Sequence, residues 1–580
     1  MISAENIIRR HFPQLEEKRR LFKIVCRGAS FMFREKDFQN FSRKYPHAQG
    51  FYFIDLVMDY FDFDVTIAEQ ERARIPAQGR LIIVANHPIG SLDGLALLRL
   101  VSRVRRDVKI VSNEHLSTIK PIENLIFPVD NINNATKRHQ ILAIQDYLNN
   151  DGAVIIFPAG EVSRIGPLGI RDGKWRKGFL KMARATRSPI LPIYVQARNS
   201  IAFYLAALIS KPLSMVMLVR EMFAQAKKTI PIRVGDLVDY NSLTGTNDRA
   251  AAKLFRSHVE RIGRGKKGLL RTYTAVAQPE RSHDVFKDLS SQEILGESPD
   301  GKVIYLAKDI GDTALLREIG RLREETFRAV GEGTGKARDF DAYDVDYYHL
   351  VLWDHQDMEI AGAYRFCDTQ KLVQEKGRDA LYTHRLFELG NQMDAYLKEG
   401  LELGRSFVQP KYWGKRSLEY LWIGMGAFLK KHPNYRYLFG AVSMSNQMPR
   451  SAQDLMVYFY RLYFQRSEGV AASRNPYHFK QKSIEDLAQT FDGDNYIKDF
   501  RQLRQLLANM RVSVPTLYKQ YTELTEMGGT QFFDFGTDPE FSDAVDGMVM
   551  VDLHLLKPKK RQRYMGTEAD SMSFPEEKSA

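Results

Sequence analysis

The residues with the sharpest chemical potential lie in Val84–Gly94, VANHPIGSLDG. An apolar run ends at Asn86-His87, Pro88 and Gly90 turn the chain, and Asp93 falls where the next helix opens. This spacing sets a carboxylate beside an imidazole, which fixes the tautomer and raises the basicity of the ring. A histidine so held takes the proton of a hydroxyl as that oxygen attacks an acyl carbonyl, the alcohol itself being the nucleophile. The plainer reading is a helix-capping Asp next to an incidental His. Two further strand-like segments accompany the motif: IIFPAGEVSR (155–164), which runs into Gly160 and Glu161, and SPILPIYV (188–195).

A second set of charged residues lies between 320 and 410. Arg323 and Phe327 are four apart on one helical face. RDFDAYD (338–344) places Asp339, Asp341 and Asp344 in a loop before a strand, Arg365 ends a strand, and ELGR (402–405) sets Glu402 and Arg405 in or beside another. Surface salt bridges and loop acids would also account for these charges. No His stands at ligand spacing from the three Asp, which argues against a metal site.

The elements that position these residues follow an α/β rhythm. Strands are expected at Leu81–Ala85, Val108–Val111, Ala153–Phe157, Ile190–Val195 and Ile232–Val234, with a helix over 247–262. A second series begins near Lys302: a strand at Val303–Ala307, a helix over Thr313–Val330, strands at Tyr348–Trp353 and Glu359–Arg365, one ending at Val408, a helix over 415–430 and a strand at Tyr437–Val442. The organisation expected is a basic amphipathic helical region (1–65), a first α/β domain (66–265), a linker (266–295), a second α/β domain (296–556) and a basic, polar, disordered tail (557–580). The halves do not resemble each other, and no repeat is evident.

Composition supports two sizeable cores, with 44% hydrophobic residues in 580. Two cysteines, Cys26 and Cys367, cannot build a disulfide framework, and the start Met1–Glu5 lacks a signal peptide's apolar centre; both suggest a reducing compartment. Residues 1–280 hold 44 Lys+Arg against 26 Asp+Glu, a net of +18, and the remainder 40 against 45, a net of −5. A basic half suits nucleic acid, anionic lipid or an acidic carrier protein, but no zinc-finger or ribonucleoprotein pattern supports the first. No run of about 20 apolar residues is present. Ile201–Arg220 comes nearest, and reads either as a buried helix and strand or as a monotopic patch at an anionic bilayer.

The order Asn86-His87 and Asp93, then Phe157-Pro158-Ala159-Gly160-Glu161, then Leu191-Pro192-Ile193, resembles the glycerolipid acyltransferase family, which moves fatty acyl groups from thioesters to lipid hydroxyls. The resemblance implies that His87 and Asp93 are catalytic and that Asn86, Gly160 and Glu161 bind substrate. Two departures stand out: five residues separate His87 from Asp93 where four is usual, and Glu161 follows its Gly instead of preceding it. The second puts a phosphate-bearing acceptor in doubt and resembles the branch that esterifies hydroxylated aminolipids.

Arg-x-x-x-Phe (323–327), Asp-x-Asp-x-x-Asp (339–344), Gly-x-x-Arg (362–365) and Glu-x-x-Arg (402–405) occur in the order found in the acyl-homoserine lactone synthases and ornithine-lipid N-acyltransferases. VPTLYKQY (514–521) and DPEFSDAVD (538–546) resemble the closing segment of the latter. That resemblance implies an acetyltransferase (GNAT)-like domain forming an amide. Glu402 would take the proton of an α-ammonium, with Arg405 and Arg365 orienting it or holding the amino acid's carboxylate. Asp341 and Asp344 would grip a second ammonium or order their loop, and Arg323 and Phe327 would help bind substrate. The helix after 410–417 would receive a pantetheine phosphate near Lys411, Lys415 and Arg416.

Together the resemblances imply a bifunctional ornithine-lipid synthase of bacteria. Its second half would join a 3-hydroxyacyl chain to ornithine, and its first half would esterify the 3-hydroxyl. Acyl carrier protein, or CoA, would donate the acyl groups with no tightly bound cofactor and no metal. The enzyme would work at the cytoplasmic side of the inner membrane, peripherally or monotopically. The alternative is a phospholipid-remodelling acyltransferase fused to an N-acyltransferase of other specificity.

Overall fold

The computed structural model describes Phe22, Ser30 and residues 34–566, except 114–118, 130–137, 167–168, 210, 244, 466–468 and 480. Most of the expected helical region before residue 34, and the tail from 567, lie outside these residues. The chain divides into two units, Met1–Gln278 and Pro279–Ala580.

The first unit is built on β1 (Asp64–Thr66), β2 (Leu81–Ala85), β3 (Val108–Asn113), β4 (Ile126–Val129), β5 (Ala153–Ile156), β6 (Arg164–Gly166), β7 (Gly169–Arg171), β8 (Ile190–Val195) and β9 (Thr229–Val234). β6 and β7 form a separate hairpin; the others make one sheet in the order β1-β9-β8-β2-β5-β3-β4. Every pairing in that sheet is parallel except β8 with β9. β2 lies mid-sheet with every residue buried, because helices cover both faces of a parallel sheet and an alternating pattern is not needed. The carboxyl ends of β2 and of its neighbour β5 therefore deliver Asn86-His87 and Phe157 to one edge, the edge at which open α/β sheets bind ligands. The sequence reading missed the short β1, β4, β6 and β7, which offer only three or four residues each.

Ile201–Ile209 and Lys211–Ala224 are two helices rather than a helix and a strand. Among the described residues no helix is long and apolar enough to cross a membrane. Ile201, Leu205 and Leu208, spaced four and three apart, are 78%, 57% and 67% exposed, so this face is not the buried helix considered above.

The second unit contains β10 (Glu293–Glu297), β11 (Lys302–Ala307), β12 (Tyr348–Asp354), β13 (Glu359–Asp368), β14 (Phe387–Leu389), β15 (Gly400–Val408), β16 (Tyr437–Met444), β17 (Ala471–Ser473), β18 (Thr530–Asp538) and β19 (Ala544–Asp552). β14 and β17 pair apart; the rest form the sheet β10-β11-β12-β13-β15-β16-β19-β18. Only β15 and β16 run parallel, and they pair over just Gly400–Glu402 and Tyr437–Phe439 before diverging. The β13–β15 register slips by one residue between Ala363 and Arg365, opposite Arg405, whose φ of 52° is left-handed. A bulge of this kind bends a strand and breaks its ladder. The parting of β15 from β16 thus begins where the ELGR segment leaves regular pairing.

Two stretches expected to be irregular are ordered. Ser282–Ser290, within the supposed linker, is a helix with Val285 and Leu289 in a core with Leu315 and Ile319. Pro558–Met565, at the start of the supposed disordered tail, is also helical. Arg563 pairs with Glu419, and the Tyr564 ring lies 6.0 Å from that of Trp422. A side chain at Gly426 would meet the Tyr564 carbonyl at 2.0 Å, so only glycine admits this contact.

Candidate active sites

In the first unit Asp93 is wholly buried at the first turn of the Ser91–Ser102 helix. Its Oδ2 accepts the backbone N–H groups of Ile89 (3.0 Å) and Gly90 (3.3 Å), holding the turn shut. Its Oδ1 stands 3.0 Å from His87 Nδ1 in an ion pair too bent to count as a linear hydrogen bond. The cap and the His partner, posed as alternatives in the sequence, are therefore two oxygens of one carboxylate. The imidazole stacks on Phe157 at 4.1 Å, with Nε2 on the side away from Asp93. Burial disfavours the imidazolium, but Asp93, with Asp172 further off, outweighs this and holds the His87 pKa above its ordinary value.

Asp172 went unnoticed in the sequence. Its Oδ1 accepts the His87 backbone N–H (3.1 Å) and the Ser163 hydroxyl (2.6 Å), and its Oδ2 the Trp175 indole N–H (2.9 Å). Burial pushes its carboxyl up, against those hydrogen bonds. Asn86, expected to bind substrate, is instead a clamp between strands. Its amide donates to Val195 O at 2.9 Å and accepts from Val195 N at 2.7 Å, leaving little for a ligand. Gly160 has a φ of 69° beside the Arg176 guanidinium, and the half-buried Glu161 pairs with Arg164 at 3.2 Å.

In the second unit the structure gathers most of the predicted residues into one buried network of three guanidiniums and three carboxylates. Arg323 makes a two-pronged pair with Asp344 (2.7 and 2.9 Å) and approaches Asp339 at 3.3 Å. Arg365 bonds Asp341 (2.5 and 3.0 Å) and Asp344 (2.8 Å). Arg405 reaches Asp339 at 3.3 Å and Asp341 at 3.9 Å, stacked between the rings of Tyr382 and Phe541. Burial would raise the Asp344 carboxyl, but Arg323 and Arg365 hold it far below the carboxylate range. Burial lowers the pKa of His349 to about 4, so it is neutral as its Nε2 meets the Asp344 carbonyl at 2.9 Å. Phe327 packs edge-on against Phe541 at 5.0 Å.

Arg365 and Arg405, expected to orient Glu402 or hold the amino acid's carboxylate, make no hydrogen bond or ion pair to Glu402: both are engaged by the aspartates of the 338–344 loop, and only the charge of Arg365 acts on it. Glu402, 1% exposed, accepts the Tyr347 hydroxyl and the backbone N–H groups of Tyr382 (3.2 Å) and Thr383 (2.5 Å). Burial pushes its carboxyl up, yet it is placed as an internal anchor without an open face. Three other acids are buried here: Glu332, which the sequence reading did not note, and Asp538 and Asp546, which it quoted only as the ends of the 538–546 segment. Glu332 accepts the Ser443 hydroxyl on β16 at 2.7 Å, and Asp538 lies 3.3 Å from the Tyr382 hydroxyl. Burial, with Asp538 and Glu332 nearby, pushes Asp546 well above its usual range, and Arg405 only partly offsets this.

The Ser417–Lys431 helix follows the 410–417 loop as expected. Of the three cations placed there, Lys411 is engaged by Asp357 and Glu359, and Arg416 by Glu419. Lys415 lies over the Tyr412 ring at 5.1 Å.

These geometries fit what the chain is similar to. A family profile described as "Acyltransferase" matches residues 13–273, and one described as "Acetyltransferase (GNAT) domain" matches residues 322–423. A "Glycine N(alpha)-acyltransferase" of Bacteroides thetaiotaomicron is 31% identical over 280 residues, 46% of this chain and 82% of that protein. A "Lyso-glycine lipid O-acyltransferase" of Phocaeicola vulgatus is 27% identical over 208 residues, 35% of this chain and 74% of that protein. An "L-ornithine N(alpha)-acyltransferase" of Brucella abortus is 31% identical over 156 residues, 25% of this chain and 50% of that protein.

The protein is an acyltransferase with two α/β domains, the first matching an acyltransferase profile and the second a GNAT profile. Through the second it belongs to the family of amino-acid Nα-acyltransferases.

Proposed function

We propose that one chain makes a diacylated aminolipid in two steps, with the second unit acting first. There an amino acid's α-amine, freed of its proton, attacks the carbonyl carbon of a 3-hydroxyacyl thioester of acyl carrier protein. The C–S bond breaks, the sulfur leaves as a thiol, and an amide remains. Glu332 and Asp546, carboxyls raised by burial, are suited to taking that proton. Glu402 and the Arg–Asp network act as positioning groups. Ornithine is the acceptor we favour, because Glu332, Asp538 and Asp546 bring an excess of acid near Arg405, as a diamino acid's second ammonium would need. Glycine is the second reading, on the strength of the glycine-acylating relative.

The first unit then esterifies the 3-hydroxyl. His87 Nε2 takes the hydroxyl proton as the oxygen attacks a second thioester, and returns it to the departing sulfur. Asp93 steadies the imidazolium between these events. The single observation that carries this reading is the buried Asp93 carboxylate 3.0 Å from His87 Nδ1 at the carboxyl edge of the sheet. The basic charge of residues 1–280 supports peripheral contact with the anionic cytoplasmic face of the inner membrane.

Mass spectrometry of lipids from a host without aminolipids, expressing this chain, tests the proposal. A new diacylated amino-acid lipid is expected, and its headgroup fragment identifies the amino acid. In His87→Ala the mono-acylated lyso-lipid should accumulate. Loss of the lyso-lipid as well would refute the division of labour. Altered phospholipid chains with no aminolipid would favour the remodelling alternative.

A further inference from the structure

In the first unit a cleft of about 330 Å³ opens between the β6–β7 hairpin and the Ile201–Ile209 helix, a volume within the range of small-ligand sites. Ile165 and Ile170 line one wall, and Ile201, Leu205 and Leu208 the other. All five are more than a third exposed, an apolar surface left to water on both sides of a groove.

Both walls are rooted in the His87 turn. The residues flanking the hairpin are Ser163 and Asp172; Ser163 N donates to the His87 carbonyl at 2.8 Å, and Asp172 accepts the His87 N–H at 3.1 Å. On the other side Asn199 Nδ2 donates to the Pro88 carbonyl at 3.2 Å, and Asn199 and the exposed Arg198 also line the cleft. Both walls of the groove are thus tied by hydrogen bonds to the turn that carries the candidate base, and Arg198 is the one cation among its lining residues. That cation complements the carboxylate of an acylated amino acid.

We infer that this cleft holds the acyl chain of the lipid acceptor, so that the hydroxyl borne on that chain meets His87 Nε2. The inference rests on the O-acylation proposed above. Carboxylate and chain belong to one amphiphile, which an apolar groove lined also by Arg198 is suited to receive. Chain length beyond the hydroxyl then sets acceptor affinity, and the walls set its upper limit.

The test measures O-acylation by the full chain with a graded series of N-(3-hydroxyacyl) amino acids in detergent micelles. For the unaltered chain the acceptor KM should fall roughly threefold to fourfold per added methylene until the cleft is full. Leu205→Glu and Ile170→Glu, on opposite walls and both exposed, should flatten that dependence. Each should raise the acceptor KM at least tenfold while leaving the thioester KM unmoved. A rise in the thioester KM instead would make this the donor's channel and overturn the inference. So would an unchanged acceptor KM with lost binding to phosphatidylglycerol vesicles, which would make it a bilayer-docking face. No O-acylation by the unaltered chain with any member of the series would overturn the functional reading and the inference together.

Discussion

Asp172 holds His87 by its backbone, while Asp93 holds it by its ring. The 3.1 Å bond from His87 N to Asp172 and the 3.0 Å approach of His87 Nδ1 to Asp93 fix the same residue at both ends, so neither the loop nor the imidazole is free to swing. The two acids therefore have separable effects.

Asp93→Asn removes the charge that raises the His87 pKa and leaves a neutral cap for the Ile89 and Gly90 N–H groups. O-acylation should fall by about 10²–10⁴-fold, the usual worth of such proton transfer. A base works only when deprotonated, so activity is lost as pH falls through the His87 pKa. The acid limb of kcat/KM should lie above pH ~6.5 in the unaltered chain. In Asp93→Asn it should move to lower pH. A fall in rate with no movement of the limb would separate Asp93 from the titration of His87.

Asn86→Ala removes both side-chain bonds from the end of β2 to Val195 on β8, leaving the backbone ladder, and strands the Val195 N–H and carbonyl. A cost of about 1–3 kcal/mol for the unsatisfied groups should appear as a lower melting temperature of the first unit. The acceptor KM of the folded fraction should not change. An unchanged melt with a raised acceptor KM would restore the substrate-binding role expected from the sequence.

Arg365→Met leaves the buried Asp344 and the half-buried Asp341 with one fewer partner. Breaking a buried pair from one side costs about 3–5 kcal/mol, so the second unit should unfold early or fail to accumulate. Adding Asp341→Leu should recover part of the loss, because the pairing itself is worth less than the isolated charge costs. If the single variant were as stable as the parent, the network would be incidental to folding.

Asp546→Asn should lower N-acylation by about 10²-fold or more, yet leave O-acylation of a supplied lyso-lipid intact. Equal loss of both activities would mean that the substitution acts on folding. No loss of N-acylation would return Glu402 to consideration as the proton acceptor.

How far the sequence was legible depended on how local the interaction was. His87 and Asp93 are six positions apart on one turn, and their spacing alone suggested the contact. Asp172 contributes through a bond to a backbone N–H 85 positions away, which no side-chain pattern advertises. The Arg and Asp positions of the second site were visible as an ordered set, but their partners were not. Charges 24 and 66 positions apart, as in Arg365–Asp341 and Arg405–Asp339, meet only after the sheet forms. Glu402 reads as a base only through the resemblance to the amide-forming families, and a strand position alone does not tell whether an acid is accessible. The backbone N–H groups of Tyr382 and Thr383 that enclose it carry no sequence signature. In Ser282–Ser290 and Pro558–Met565, polar and basic residues concealed helices, of which the first buries only Val285 and Leu289 and the second no residue fully.

The position of β19 in the second sheet also bears on how the chain is made. It lies between β16 and β18, although its residues, 544–552, come after both, so the sheet stays open until they have left the ribosome. At about 5–20 residues per second, the 278-residue first unit has many seconds in which to fold while the second is still being translated. The second must keep one edge of β16 unpaired from residue 444 to residue 552, about a third of its own synthesis. Its yield in the cell is therefore the more exposed to aggregation and to the supply of chaperones.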